Sequence, residues 1–441
     1  MKRFLSLIIS VLALSLALNA QTLAIHSGNI TLLASPDEVG EMMFSGSMLS
    51  IGDSVIDVTD IDSMTYSAAD FDPQVVEFNY SGDNCAITMP LALADSLSID
   101  QDGAYVTVIS ATTADPEITY SLSGSTNNGC FRQEGDYKCM VQLNGVSITS
   151  QQGAALHVRN GKRIDIDVAD GTVNNFVDHA DTLHDACFHV KGHPEFSGTG
   201  IVNITGNGKH AYKSGEYTKF KKTAPTFNIL ASPRDGMHIS QYFKMNGGKI
   251  TVANAVKGDG IQVEIDKDST KELNGQMFLN GGTIDIEISG DSCEGLKCDS
   301  MLFIGGGTQN VTCHGKFSKC ISVGTHMVAY NLLSEPNVTL VNDGPYVTVG
   351  AKNKKSVALK VEGTFYFHTG SISLTADEDV KGKSAAIAGD YVYVSSAVKL
   401  KASPAIDVDG AMRVRRTEAD MISYEQGKGI TLPTTSSDEE E

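Results

Sequence analysis

The chain has 441 residues and a formal net charge of −19, from 53 acidic against 34 basic side chains, with 43 glycines, 11 prolines and no tryptophan. That balance excludes ordinary nucleic-acid binding, which leaves a basic footprint, and it disfavours direct contact with polyanions unless a cation bridges the two. Many glycines combined with Ile-x-Val alternation point to short strands and tight turns, and no 3.6-residue apolar period is sustained past the N-terminus.

The first segment reads as a secretion signal over residues 1–20. Lys2 and Arg3 precede an apolar run from Phe4 to Leu18, and Leu18-Asn19-Ala20 offers a small residue before Gln21 as the cleavage point. The run is shorter than the roughly 20 residues a membrane span needs. No cysteine follows it to carry a lipid, and nothing later in the sequence is apolar for long enough to cross a bilayer. The expected location is outside the cytoplasm: periplasmic, cell-surface or secreted.

Residues 21–73 read as a small β-rich leader, with segments such as Thr22-Leu23-Ala24-Ile25-His26. Residues 74–415 read as lead-in strands followed by a repeat domain, and 416–441 as a C-terminal tail. The end of that tail, Thr434 to Glu441, has the composition of a disordered segment.

From about residue 140 a five-residue pattern recurs: any residue, a small one, an apolar one, an outward polar one, then a small or apolar one. It runs through Ala154-Ala155-Leu156-His157-Val158, Ala186-Cys187-Phe188-His189-Val190, His210-Ala211-Tyr212-Lys213-Ser214 and Asp235-Gly236-Met237-His238-Ile239. It continues through Asp259-Gly260-Ile261-Gln262-Val263, Glu294-Gly295-Leu296-Lys297-Cys298 and Lys319-Cys320-Ile321-Ser322-Val323, with fainter copies at Val357, Ala385 and Pro404. The clearest copies lie about 24 to 25 residues apart, the length of one solenoid coil. Between copies come Gly-rich corners followed by alternating apolar residues, as in Asn246-Gly247-Gly248-Lys249-Ile250 and Asn280-Gly281-Gly282-Thr283-Ile284. Asn-Gly-Gly permits positive φ at a sharp corner. Each coil therefore holds at least two strands, and stacking buries what a lone hairpin leaves exposed. The expected fold is all-β: a parallel β-helix of roughly nine or ten coils. Asp266 to Gly275 and Met327 to Lys355 interrupt the spacing as insertions, which in solenoids often map to the binding face.

Of the eight cysteines, Cys130 and Cys139 flank a turn-like stretch and could face each other across a hairpin. Cys187 and Cys320 fall in the small column and Cys298 in an apolar one, where cysteine serves as a small buried hydrophobe. No spacing suggests zinc.

The stretch from about Val75 to Tyr330 resembles a family of exported bacterial carbohydrate-binding β-helix domains. The resemblance is carried by Leu143-Asn144-Gly145-Val146-Ser147-Ile148-Thr149, Gly153-Ala154-Ala155-Leu156, Val168-Ala169-Asp170-Gly171-Thr172-Val173-Asn174, Phe196-Ser197-Gly198-Thr199-Gly200, Met245-Asn246-Gly247-Gly248 and Gly258-Asp259-Gly260-Ile261, in that order. It implies a right-handed parallel β-helix similar to pectate-lyase scaffolds. It also implies binding of a plant-type or dietary polysaccharide, and of calcium, rather than cleavage. One departure stands out. The family commonly keeps a polar-Gly pair in successive coils, whereas here the first position is Ala186, His210, Asp235, Asp259, Glu294 and Lys319, acidic for only three coils.

Two columns and an aromatic group are the functional candidates. Asp235, Asp259 and Glu294 would stack at the strand spacing of about 4.8 Å, where a calcium ion, taking oxygens at about 2.3–2.6 Å, fits between carboxylates of adjacent coils. The alternative is a set of turn dipeptides with solvated side chains. The outward column His157, His189, Lys213, His238, Gln262, Lys297, Ser322 and Lys360 would offer a glycan a row of hydrogen-bonding groups; the alternative is an ordinary solvated face. Tyr217 and Tyr242 are the candidate sugar platforms, Tyr212 being expected in the core. A lyase would need a base, for which Arg234 is placed. A hydrolase would need paired carboxylates, for which Asp235 and Asp259 are placed. Non-catalytic binding, catalysis on the same scaffold and a purely structural or adhesive solenoid all stay open at this point, the first leading.

Overall fold

The computed structural model describes residues 21–111, 117–345 and, with interruptions, 347–431. The signal over residues 1–20, the residues Ala385 and Pro404 at which the last two pattern copies begin, and the stretch from Thr434 to Glu441 lie outside the described residues; the strands of those two copies, Ala386–Ala388 and Ile406–Val408, continue the column in parallel register after Val357–Val361. Within the tail, Ser423–Glu425 and Gly429–Thr431 pair as a short antiparallel ribbon. The fold is an all-β parallel β-helix, and the chain divides into two compact units, residues 1–233 and 234–441. Among the described residues no helix is long and apolar enough to cross a membrane.

In the first unit the leader strand Thr22–Ser27 pairs antiparallel with Ile30–Ala34 and with Ser63–Ser67. Leu23, Ile25, Ala34, Leu49, Ile51 and Leu91 close a small core of their own. Ile30–Ala34 runs parallel to Asn84–Pro90, one arm of the lead-in hairpin, so the leader is joined to the repeat by a shared sheet. The coils proper use three strands, within the expectation of at least two. Ala186–Val190, His193–Gly198 and Ile201–Thr205 make one coil, and His210–Ser214, Thr218–Phe220 and Thr226–Ala231 the next; each strand is parallel to its counterpart.

The solenoid also starts earlier than its sequence pattern. Ala104–Ser110 and Gly129–Glu134 are already in parallel register with each other, and Gly129–Glu134 with Leu156–Arg159. The pattern is hidden there because the inward position opposite Val158 is Gln133, fully buried, whose side-chain amide donates to the Glu134 carbonyl (2.9 Å). Inside the first unit, Phe176, Phe188, Phe196, Tyr212, Phe220 and Phe227 pack edge-to-face and stacked at 4.9–6.3 Å. Tyr212 is core as expected, its hydroxyl 2.8 Å from Thr218 Oγ1.

The second unit repeats the three-strand coil. Ile261–Glu264, Gln276–Leu279 and Thr283–Ile288 are followed in register by Glu294–Cys298, Leu302–Ile304 and Thr308–Cys313. At the Asn-Gly-Gly corners Gly248 and Gly282 have φ of 82° and 83°, the positive values expected of them. The insertion at 266–275 folds back: its Leu273, with Met301, Tyr330 and Leu332, covers Phe278, Phe303, Val328 and Tyr366, an apolar row on the outer side of the sheet.

All eight cysteines are free thiols. The hairpin imagined between Cys130 and Cys139 does not form, because Gly129–Glu134 and Cys139–Thr149 join different sheets, each parallel to strands of neighbouring coils. Cys187, Cys298 and Cys320 are buried, as their columns require.

Candidate functional site

In the second unit the acidic step forms as a ladder. Asp235 Oδ1 accepts the backbone N–H of Asp259 (3.0 Å), and Asp259 Oδ1 accepts the backbone N–H of Glu294 (2.7 Å). Each carboxylate is thus tied to the next coil where the bend turns an amide away from the strand ladder. Further carboxylate oxygens face basic side chains. Asp235 Oδ2 lies 2.9 Å from His238 Nδ1, Asp259 Oδ2 takes Lys297 Nζ at 3.4 Å, and Glu294 Oε1 takes Lys319 Nζ at 2.5 Å. Burial, then the Glu294 carboxylate, push the Asp259 acid up to about 7. Lys297 is shifted upward in turn: burial opposes its charge, but Asp259 and Glu294 outweigh it.

The outward column of this unit runs His238, Gln262, Lys297, Ser322 and Lys360 in parallel register. Its members are engaged rather than bare. His238 Nε2 also meets Glu264 Oε2 at 3.3 Å, Gln262 donates to Glu264 Oε1 at 2.8 Å, and Lys360 pairs with Glu362. Tyr242 stands half-buried in register with Gln276.

In the first unit the same outward position runs Arg132, His157, His189 and Lys213 on four successive coils. The two imidazoles stack, with centroids 4.6 Å apart and planes 13° from parallel. Burial lowers both, to about 3 for His157 and about 4 for His189. His157 is depressed further by its histidine partner, Arg132, Arg159 and His184, and His189 by Lys213. They are neutral at pH 7, each presenting one donor and one acceptor. Lys213 Nζ pairs with Asp185 Oδ2 at 2.8 Å, and Lys209 Nζ with Asp185 Oδ1 at 3.0 Å. Tyr217, by contrast, faces another side. Its hydroxyl donates to Glu195 Oε1 (3.0 Å) and its ring packs on His193, within a lattice of Asp165, Glu195, Arg163, Lys219 and Lys221. The structure therefore separates Tyr217 from the His189–Lys213 row.

Three features escaped the sequence reading. Arg132 belongs to the outward row; its 25-residue spacing to His157 was the available signal. The loop 178–185 is locked by His184, whose Nε2 lies 2.6 Å from Asp178 Oδ2 and Nδ1 2.8 Å from Asp181 Oδ1, and it holds Leu183 at 95% exposure. On a different sheet Ser147, Asn175, Asn203 and Asn228 form a hydrogen-bonded ladder at 2.8–2.9 Å, a register that the neighbouring alternation only hinted at.

Coiled strands whose outward positions line up as polar rows define a β-helix solenoid domain with extended hydrogen-bonding faces. The model of the carbohydrate-binding domain-containing protein family matches residues 102–402, most of the chain, and the chain belongs to that family. A carbohydrate-binding domain-containing protein of Acetivibrio thermocellus is 25% identical over 143 residues, 30% of this chain; the match spans 41% of that relative's length. A solved polysaccharide lyase-like protein from C. thermocellum, a gadolinium derivative, aligns with a TM-score of 0.46 at 19% identity, over 60% of this chain and 96% of that one.

Proposed function

We propose that this protein is a non-catalytic polysaccharide-binding protein of the bacterial cell envelope, exported by the segment over residues 1–20. The observation that carries the reading is the alignment of outward polar side chains in register over successive coils, in a chain of a carbohydrate-binding family. His189 and Lys213 in the first unit, and His238, Gln262 and Lys297 in the second, are the groups that would meet sugar hydroxyls; Tyr242 is the ring candidate left, since Tyr217 faces another side. Calcium belongs to the same reading at Asp235, Asp259 and Glu294. Burial, then crowding by Glu294, raises the Asp259 acid to about 7, and a divalent cation would relieve the crowding once the Lys297 ammonium swings aside. A glycan array probed with calcium and with chelator tests this reading. Binding to polysaccharides is expected; a blank array in both conditions would leave a structural or adhesive solenoid.

A second reading, a lyase or hydrolase, is favoured by one observation: an acid titrating near 7 suits general acid–base work at neutral pH. Its ladder bond to the Glu294 amide favours a structural post instead. Incubation with acidic and neutral polysaccharides distinguishes them, since catalysis would release reducing ends or unsaturated products and binding alone would release neither.

A further inference from the structure

Charge in the first unit is divided along the chain. The outward row of its coils is a cationic strip through Arg132 and Lys213, yet from Gln21 to Phe131 the sequence holds no lysine or arginine. The leader over residues 21–73 carries nine acids, and Asp57, Asp60, Asp62, Asp70 and Asp72 flank one of its strands, Ser63–Ser67. That strand is an edge. Among the described residues it pairs with Thr22–Ser27 and with no other strand, in an unbroken five-residue register. It is held firmly. Asp62 Oδ2 accepts the Gly28 amide at 2.8 Å, Thr22 Oγ1 donates to the Ala69 carbonyl at 2.8 Å, and Thr65 Oγ1 lies 3.0 Å from His26 Nε2. Natural edge strands are ordinarily guarded by a charge, a proline or a bulge; Ser63-Met64-Thr65-Tyr66-Ser67 has none of these. Cross-strand partners share one face of a sheet. Met64 stands opposite Ile25 and Tyr66 opposite Leu23, both sealed in the leader's core, yet Met64 is 40% and Tyr66 50% exposed. In the ribbon of Met42–Ser45, Met48–Ile51 and Ser54–Asp57, Phe44 stands opposite core Leu49 and is also exposed. The small core is thus left open at its edges by methionine and aromatic side chains.

We propose that the Ser63–Ser67 edge takes up an extended, cationic segment of a partner polypeptide as an added strand. The N–H and C=O groups of the edge pair with the segment's backbone. Its alternate apolar side chains close over Met64 and Tyr66, and its lysines or arginines meet the flanking aspartates. Charge complementarity chooses the occupant. A second leader would bring nine more acids and no lysine or arginine against the first, and like charge repels it. The leader in this role joins the solenoid to a protein, separately from any glycan the coils hold.

The test titrates three synthetic peptides of equal length into the full chain: alternating valine and lysine, alternating valine and glutamate, and alternating glycine and lysine. The valine–lysine peptide is expected to bind, more weakly as salt rises, and the valine–glutamate peptide not to bind. The glycine–lysine peptide keeps the charge but loses strand preference and the apolar row. It is expected to bind about tenfold or more weakly, because cross-strand side-chain pairs add up along the edge. Amide exchange at Ser63–Ser67 should slow when the valine–lysine peptide binds, while exchange in the coils stays unchanged. Met64→Lys with Tyr66→Lys installs the missing guard and should abolish binding; both positions are exposed, so the melting temperature should stay at the parent value. Asp70→Asn with Asp72→Asn leaves the strand itself intact and should weaken binding at low salt and flatten its salt dependence. Equal affinity for the two lysine peptides would reduce the surface to diffuse charge and overturns the proposal. So does binding without slowed exchange at Ser63–Ser67, or no binding of the valine–lysine peptide. Exchange there that slows as the chain alone is concentrated would make a second copy the occupant, and overturns it as well.

Discussion

Gly295 shows at the scale of one residue why the small column is small. A Cβ built there would lie 2.2 Å from Val311 Cγ1 and 2.6 Å from the Cys320 carbonyl oxygen, and one on Gly260 would lie 2.5 Å from the Gly295 carbonyl oxygen. The coils are packed so closely at this bend that the backbone carbonyl of one fills the side-chain space of its neighbour. Gly295→Ala is therefore expected to overpack the site and cost about 1–3 kcal/mol, read as a lower denaturant midpoint at unchanged slope. Cys320→Ala in the same column removes one buried sulfur and should cost less. The column was legible in the sequence because Ala, Cys and Gly are the residue types that fit it. Gln133 was not legible: a buried polar side chain whose Nε2 donates to its own strand looks, in sequence, like the end of the repeat rather than its second turn.

At the scale of an element, the loop 178–185 is held by charge. It lengthens the spacing from His157 to His189 to 32 residues, a gap that the sequence reading did not single out. What it does could not be read there, because the partners of Asp181 and Asp178 include the amides of Gly153, Asn207 and Gly208 on other coils. Burial would lower the His184 imidazole, but its hydrogen bonds to Asp178 and Asp181 outweigh burial and raise it above its usual value. Burial would raise Asp181, but the Leu183 amide, His184 and the Gly153 amide hold it far below the usual carboxylate range. The signs follow by linkage. The stabilisation from His184 is fully present below its unfolded value of about 6.5 and is lost as pH rises through its raised folded value. That from Asp181 is present above its unfolded value of about 3.9 and is lost only as pH falls through its depressed one. The loop should be tightest from about pH 4 to 6.5 and loosen above it. Hydrogen exchange at residues 179–185 should show protection falling as pH rises from 6 to 9, beyond the intrinsic rate change. His184→Asn should flatten that profile; an unchanged profile would mean the imidazole carries no charge in the fold.

At the scale of the molecule, the −19 charge was read as a uniform property, and the structure shows it to be distributed. The first unit carries a cationic strip, whereas the second stacks Asp235, Asp259 and Glu294 on adjacent coils. Coil length, corners and inward columns followed from spacing alone, since stacking repeats the same contacts. Which outward residues keep an open charge did not, because that depends on side chains brought together from different coils, as Lys297 is to Asp259 and Lys319 to Glu294. Those lysines set the terms for the calcium proposal. If the ladder takes the ion, calcium at a hundred times its dissociation constant adds about 2.7 kcal/mol to the folded state, and the melting temperature should rise with calcium and fall with chelator. Asp259→Asn is the discriminating variant: its amide oxygen can still accept the Glu294 N–H, so the bend survives, while a charge needed by the cation is gone. Loss of the calcium response in that variant at an otherwise intact fold would place the ion at the ladder. Should the parent chain melt at the same temperature in calcium and in chelator, Lys297 and Lys319 are the ladder's counter-charges and the ladder is a structural post between coils.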